Sequence, residues 1–371
     1  MTVQELVAAI GEQLPTSVML VDRDLKVLAY STQAENADEC RVRAILSRAC
    51  SPETRTWFRQ GGYSRATKPF QLGPIPALGS GARWCMPTLS PNGEVNGYLF
   101  LAPDPGVDID LLDPAVASRY SDSIGSELAV AEHHRSVAAL SLQRLIKGHN
   151  EDWHSVAEDL RRAGAVDPDE PLLTLAVTTS SVAQYRPDIH AIGNGGYTLV
   201  VTNTSLDSAR QGVALARDLT RRGGAVGIGT AIPGLSEVAG LRASARRAQL
   251  SLCVAEVDDK HAPIAEWARL GLYRLALQPE VLRDVVAADS AQRLLDHRNP
   301  DLWQTALCFL DKAGDVSATA SLLQVHRQTL YYRLSRINEI AGIDLSDGDD
   351  RLALHLGLKL GRVRERLAST E

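Results

Sequence analysis

The chain has 371 residues, 44% of them hydrophobic and 23% charged, and a formal net charge of −6 at pH 7. That composition belongs to a globular chain of about two or three domains, and its acidic balance excludes a polycation that coats nucleic acid or anionic membrane, so a nucleic-acid site has to be local. No run approaches the roughly 18 apolar residues of a membrane helix, and MTVQELVAAIGEQL has acids where a signal peptide carries basic and then purely apolar residues, so the chain reads as cytoplasmic, with no membrane partner.

Residues 17–30, SVMLVDRDLKVLAY, hold two short β-rich runs around Asp22-Arg23-Asp24, the pattern of a hairpin. A second pair, RWCMPTL at 83–89 and GYLFLA at 97–102, flanks the turn signal Ser90-Pro91-Asn92-Gly93. Between them residues 38–60 read as helix, followed by a Gly- and Pro-rich stretch from Gly61 to Gly81. Hairpin, helix, hairpin within residues 1–105 outlines a small α+β module of the PAS or GAF type. Trp84 and Cys85 either line a pocket there or fill its core. The cysteines Cys40, Cys50, Cys85, Cys253 and Cys308 form no Cys-x-x-Cys pair, which points to buried reduced thiols rather than disulfides or zinc.

Residues 106–149 form a helical linker. Ile124, Leu128, Ala131, Ala138, Leu142 and Leu145 follow alternating steps of four and three, with Arg135 at the polar seam position. Such a stripe serves either pairing with another helix or a single amphipathic helix lying on its own domain.

Residues 150–262 alternate strand and helix: helix 151–163, the apolar run 172–179, a hairpin over 188–203 turning at Gly193-Asn194-Gly195-Gly196, helix 206–221, strand AVGIGTA at 225–231 and helix 236–254. The alternation predicts an α/β domain. From 263 to 371 helix follows helix.

The stretch with readable chemistry is SATASLLQVHRQTLYYRLSRI, residues 317–337. It parses into a short helix from Ala318 to Leu323, a turn at Gln324-Val325, and a second helix opening at His326 or Arg327. Leu330, Leu334 and Ile337 fall on one narrow stripe, and Gln328, Tyr332, Ser335 and Arg336 on the opposite face. Between Asp315 and Glu339 there is no acidic residue, although acids outnumber bases in the chain. This is a helix-turn-helix pattern: Ala320 permits a close crossing, Leu323 and Val325 plug it, and Leu330 and Leu334 anchor the second helix. His326, Arg327, Gln328 and Thr329 then stand at the bases and phosphates of double-stranded DNA, and Tyr332, Arg333 and Arg336 reach the flanking backbone. The bland alternative is a helical hairpin with a solvated basic face. Gln324 departs from the pattern, because it occupies the turn position where glycine is usual.

With ARLGLYRLAL at 268–277, Leu302, Ala306 and Phe309 before LDKAG at 310–314, and AGIDLSDGDDRLALHLGLKL at 341–360, residues 264–362 resemble the C-terminal region of PucR- and CdaR-type bacterial transcriptional regulators. HRQTLYYRL is also similar to the second helix of Fis-type DNA-binding domains. The resemblance extends to residues 150–260, which look like the degenerate GGDEF-like middle domain of those regulators, with the GIGT string at Gly227–Thr230. Active members of that fold place acids after the paired glycines of the hairpin. Here Gly195-Gly196 leads to Tyr197-Thr198, and LLTLAVTTSS supplies no acid, so no cyclase activity is expected.

No P-loop string exists. His133, His134, His149 and His154 lack converging ligands. The acids Asp344, Asp347, Asp349 and Asp350 miss calcium-loop spacing and read as a turn with an N-cap for the helix near Arg351. The expectation is a multidomain α+β protein, with a PAS/GAF-like sensor at 1–105, a helical linker at 106–149, a degenerate GGDEF-like α/β domain at 150–262 and an all-α helix-turn-helix region at 263–371 (core 300–362). It implies a homodimeric, or higher homo-oligomeric, DNA-binding regulator with a small-molecule effector at the N-terminal domain. No enzymatic activity, cofactor or metal is expected. Leu352, Leu356 and Leu360 on the last helix are candidate dimer contacts. The rival readings are a signalling scaffold that does not bind DNA, and a nucleotide-binding protein using the GGDEF-like domain.

Overall fold

The sheet of the N-terminal unit, Met1–Val137, is built from β1 (Thr16–Asp22), β2 (Val27–Tyr30), β3 (Phe70–Leu72), β4 (Arg83–Leu89) and β5 (Val95–Pro103), in the order β2-β1-β5-β4-β3. The structure, a computed structural model, describes residues 2–33, 37–148, 152–164, 166–178, 189–194, 196–204, 208–220, 223–236, 238–277 and 289–369. Neighbouring strands are antiparallel throughout this sheet. Every residue of β1 is buried, because helices cover both faces. Val18, Leu20, Met86, Leu99 and Leu101 meet α1 (Val3–Gln13) together with Ala117 and Ile124 of α4 (Pro114–Ile146). Met19, Val21, Cys85, Tyr98 and Phe100 share the opposite cluster with Ala44 of α2 (Glu39–Ser47) and Phe58 of α3 (Pro52–Gln60).

Both expected hairpins are present, but the single helix expected over 38–60 is two. Arg48 takes a left-handed φ of 55°, Ser51 caps α3 through its hydroxyl, and Pro52 opens it, a start signal that ends the preceding helix. Cys85 lies at 0% exposure in the core, and the Trp84 indole donates to the Ile109 carbonyl. Cys40, Cys50 and Cys253 are also buried, whereas Cys308 is partly exposed.

The second unit is Ala138–Glu371. Its sheet contains β6 (Leu172–Val177), β7 (Ile189–Asn194), β8 (Tyr197–Asn203), β9 (Val226–Ile228) and β10 (Ile264–Glu266), ordered β10-β9-β6-β8-β7. The β9–β10 pair is parallel and the others antiparallel. Asn194 pairs with Tyr197 across the β7–β8 hairpin, and Gly195 of the expected turn, His149 and residues 179–188 at the strand exit lie outside the described residues. One sheet face meets α6 (Ser208–Thr220). The other meets α5 (Trp153–Ala163) and α7 (Val238–Val257).

The GIGT string works as a packing device. A Cβ on Gly227 would come within 2.1 Å of the Leu252 nitrogen, and one on Gly229 within 2.4 Å of the Ser244 carbonyl oxygen, so α7 lies directly against the backbone of β9 and its exit. Ser244 Oγ donates to the Thr230 carbonyl oxygen at 2.5 Å and lies 2.5 Å from Thr174 Oγ1.

The stripe on α4 serves two cores. Ile124 and Leu128 belong to the N-terminal unit, and Ala138, Leu142 and Leu145 to the second. Those side chains are used by their own domains, the single-helix alternative.

After α8 (Tyr273–Ala276) and α9 (Asp289–Leu295) come α10 (Pro300–Asp311), α11 (Val316–Leu322), α12 (Arg327–Ala341) and α13 (Gly348–Ala368). α13 has two jobs: Leu354 and Leu358 fill the core shared with α10 and α12, whereas Leu360, Val363 and Leu367 fill the core of the α/β domain. Its expected role as a dimer surface is therefore corrected at Leu360, which has 0% exposure within its own chain, and Leu352 alone of the three stands well out of the fold.

Candidate nucleic-acid interface

α11 and α12 are set by their caps. The Asp315 carboxylate accepts from the Ala318 amide at 2.9 Å, and Nδ1 of His326 accepts from the Gln328 amide at 3.3 Å. Between the helices Gln324 adopts φ of 53°, the left-handed conformation that glycine takes without steric cost. The chain thus satisfies the turn by placing a non-glycine residue in the glycine conformation. Gly342, at φ of 67°, closes α12.

Ala320, Leu330 and Ile337 are buried, and Leu323, Val325 and Leu334 are half-buried. His326, Arg327, Gln328, Thr329, Ser335 and Arg336 are exposed, and Tyr331 and Tyr332 present 58% and 67% of their surface. The first turn of α12 therefore offers an imidazole, a guanidinium, an amide and a hydroxyl on one outward surface, a set able to meet both base edges and phosphates.

Three arginines lie in the interval, and they are not equivalent. Arg327 Nη2 donates to Ser317 Oγ at 2.7 Å, which fixes its stem across the start of α11. Arg336 pairs with Glu339 one turn on. Arg333 turns inward, donating to Asp301 at 2.8 Å and to Thr305 Oγ1 at 3.1 Å. The carboxylate and hydroxyl of α10 that engage Arg333 were not foreseen, and no spacing rule connects residues 28 and 32 positions apart.

Beneath the surface, Arg351 stacks on Phe309 with 5.6 Å to the ring centroid, and Arg362 on Trp303 with 5.4 Å. Asp347 caps α13 by accepting from the amides of Asp349 and Asp350 at 2.9 and 3.0 Å, which absorbs the acidic cluster. Among the described residues no group of three or more His, Cys, Asp or Glu side chains is placed to hold a metal ion, and no helix is long and apolar enough to cross a membrane.

Residues 302–360 match the family described as the PucR C-terminal helix-turn-helix domain. The chain is 51% identical over 47 residues to the carbohydrate diacid regulator of Escherichia coli (strain K12), a match spanning 13% of this chain and 12% of that relative. Against the DNA-binding transcriptional activator AdeR of Bacillus subtilis (strain 168) identity is 20% over 386 aligned positions, covering 95% of this chain and 91% of the relative. Against the proline-responsive transcriptional activator PutR of the same organism it is 23% over 401 aligned positions, covering 96% of each. Residues 302–360 thus form a PucR-type C-terminal helix-turn-helix domain, and the chain is similar in sequence to these transcriptional regulators.

Proposed function

We propose that the protein is a sequence-specific DNA-binding transcriptional regulator, in which α12 enters the major groove with His326, Arg327, Gln328 and Thr329 facing the bases while Tyr332 and Arg336 approach the backbone. The observation that carries this reading is the exposed first turn of α12 inside an acid-free interval of an acidic chain. Local positive charge on an acidic body favours a specific site over indiscriminate coating. Arg333, turned inward, supports that surface as a positioning residue, since it ties α12 to α10.

The domain boundaries proposed are 1–105, 106–149, 150–262 and 263–371. The β2-β1-β5-β4-β3 order with helices on both faces supports a PAS/GAF-like sensor. The α/β sheet, with its hairpin and the GIGT string against α7, supports a degenerate GGDEF-like domain without catalysis. One helix-turn-helix reads few bases, so a homodimer on paired half-sites is the functional unit. A small-molecule effector at the N-terminal domain shifts the population of DNA-competent dimers. Selection of bound sequences from random duplex DNA by the full chain tests the reading: an enriched, two-fold symmetric site is expected, and no enrichment overturns it.

A further inference from the structure

The step by which α13 passes from one core to the other is short. Leu358 shares a core with Ile337 of α12 and Phe309 of α10, whereas Leu360 and Val363 share one with Ala248 and Leu252 of α7. Leu358 and Leu360 are both at 0% exposure and stand two residues apart, about 3 Å along a helix axis. The change of partner therefore falls inside a single turn of continuous helix, where bending costs backbone hydrogen bonds. Gly357 and Gly361 flank the step, and both are buried. A Cβ on Gly361 would come within 2.4 Å of Leu295 Cδ1 on α9, so this glycine serves a close crossing rather than a joint. The match to the helix-turn-helix family ends at residue 360, so Val363 and Leu367, which the α/β core uses, lie beyond it.

Polar contacts tighten the same seam. Arg366 Nη2 donates to Glu256 Oε1 of α7 at 3.0 Å, with its Nε 2.7 Å from Oε2. Lys359 bridges Asp258, the residue after α7, to Asp311, the last residue of α10, at 3.1 and 2.9 Å. From α10 the connection continues to α12 through Arg333, which bonds Asp301 and Thr305. At the other end α7 is held against the sheet, because Gly227 brings the backbone of β9 onto Leu252. Sheet, α7, α13, α10 and α12 are thus joined in series by buried apolar contact and by ion pairs.

We propose that the α/β domain has the function of carrying and orienting the recognition helix: α13 fastens the helix-turn-helix to α7, and the two parts form one reading head that moves as a body. The α/β domain then needs no reaction of its own to be required for DNA binding. The orienting role rests on the regulator reading; the mechanical union of the two parts stands without it.

Native-state hydrogen exchange of the full chain compares the most protected amides of β6 and β8 with those of α12. Val363→Ala, which opens space in the α/β core alone, is expected to lower protection by at least about tenfold in both sets. A fall in β6 and β8 with α12 unchanged would make the helix-turn-helix an independent unit and overturn the union. Orientation is read from affinity for the duplex that the full chain selects. Glu256→Arg, which sets like charges together on the seam outside residues 302–360, is expected to weaken binding at least about fivefold. Adding Arg366→Glu reverses the pair and should return affinity to within about twofold of wild type. Unchanged affinity in the single variant, or a double variant as weak as the single, overturns the orienting role. If Glu256→Arg does not fold by circular dichroism, Glu256→Gln, which loses only the charge, takes its place, and unchanged affinity overturns the role there too. A wild-type chain that selects no DNA rejects the regulator reading, and the exchange experiment alone then decides the union.

Discussion

Arg333, in the middle of α12, bridges to Asp301 near the start of α10 at 2.8 Å, with its side chain 21% exposed and that of Asp301 50% exposed. Its second bond goes to Thr305 Oγ1, a residue at 0% exposure. The cation therefore fixes the angle of α12 on the helix behind it. Arg333→Ala is expected to cost about 1–2 kcal/mol, from a partly exposed ion pair and a buried hydroxyl left without its donor. Urea denaturation checks this, and loss of less than about 0.3 kcal/mol would return Arg333 to the role of a free phosphate contact.

Arg327 makes the opposite forecast. It is exposed, and its bond to Ser317 lies at the surface. Arg327→Ala should alter stability by no more than about 0.5 kcal/mol, yet weaken DNA binding and, where the contact is to phosphate, lower the salt slope by about one unit. Titrating the selected duplex at several salt concentrations, beside denaturation of the same variant, separates the two arginines.

The turn offers a gain instead of a loss. Gln324 is exposed at φ of 53°. Gln324→Gly relieves a left-handed side-chain penalty of about 1 kcal/mol, partly offset by the greater freedom of the unfolded chain, so a net rise of about 0.5 kcal/mol is expected. Gln324→Val, β-branched in the same conformation, should fall by more than about 1 kcal/mol. Equal midpoints for the three proteins would remove any conformational role from this position.

The helix-turn-helix was legible because two local signals coincide: the apolar stripe Leu330, Leu334, Ile337 and an acid-free interval around it. The inward turn of Arg333 was not, because its partners Asp301 and Thr305 lie on another helix and charge pattern names no distant neighbour. The division of α13 stayed hidden for a similar reason: a leucine stripe declares that a face is buried, not against what. α1 carries a readable signal in Thr2 and Glu5, which form a capping box at its start. The break at Pro52 was equally open to reading from Ser51-Pro52.

Close helix–strand contact makes a sharp mutational contrast. Gly227→Ala forces a methyl group to within 2.2 Å of the Ala248 carbonyl oxygen and 2.1 Å of the Leu252 nitrogen, both backbone atoms that cannot rotate aside. A loss above about 3 kcal/mol is expected. Gly348→Ala, at the start of α13, meets nothing within 4 Å and should be neutral or stabilising. Expression and thermal melting of both variants check the contrast, and a tolerated Gly227→Ala would mean that α7 does not lie against β9 as described.

Between the α/β domain and the helix-turn-helix, Lys359 of α13 contacts Asp258 at 3.1 Å and Asp311 at 2.9 Å, while Tyr273 Oη donates to Asp258 at 3.0 Å. Burial by itself would raise the Asp258 pKa; the hydrogen bond and charge of Lys359 outweigh it, so the carboxyl sits below its ordinary 3.8. A carboxylate depressed in the folded state contributes stability that is present above the unfolded pKa and lost as pH falls through the folded one. Unfolding of this unit should therefore lose stability below about pH 4. Asp258→Asn should cost about 1 kcal/mol at pH 7, by removing one of the two anions paired with Lys359 while Asp311 stays, and the deficit should shrink as the wild-type carboxyl protonates. His261 faces the same cluster, and its burial lowers its pKa below 6.5, so it adds a separate loss of stability as pH drops below that value. Urea midpoints measured from pH 7 down to pH 3 resolve the two, since His261→Gln removes only the upper step. A constant difference between wild type and Asp258→Asn across that range would exclude the ion pair as the source of the linkage.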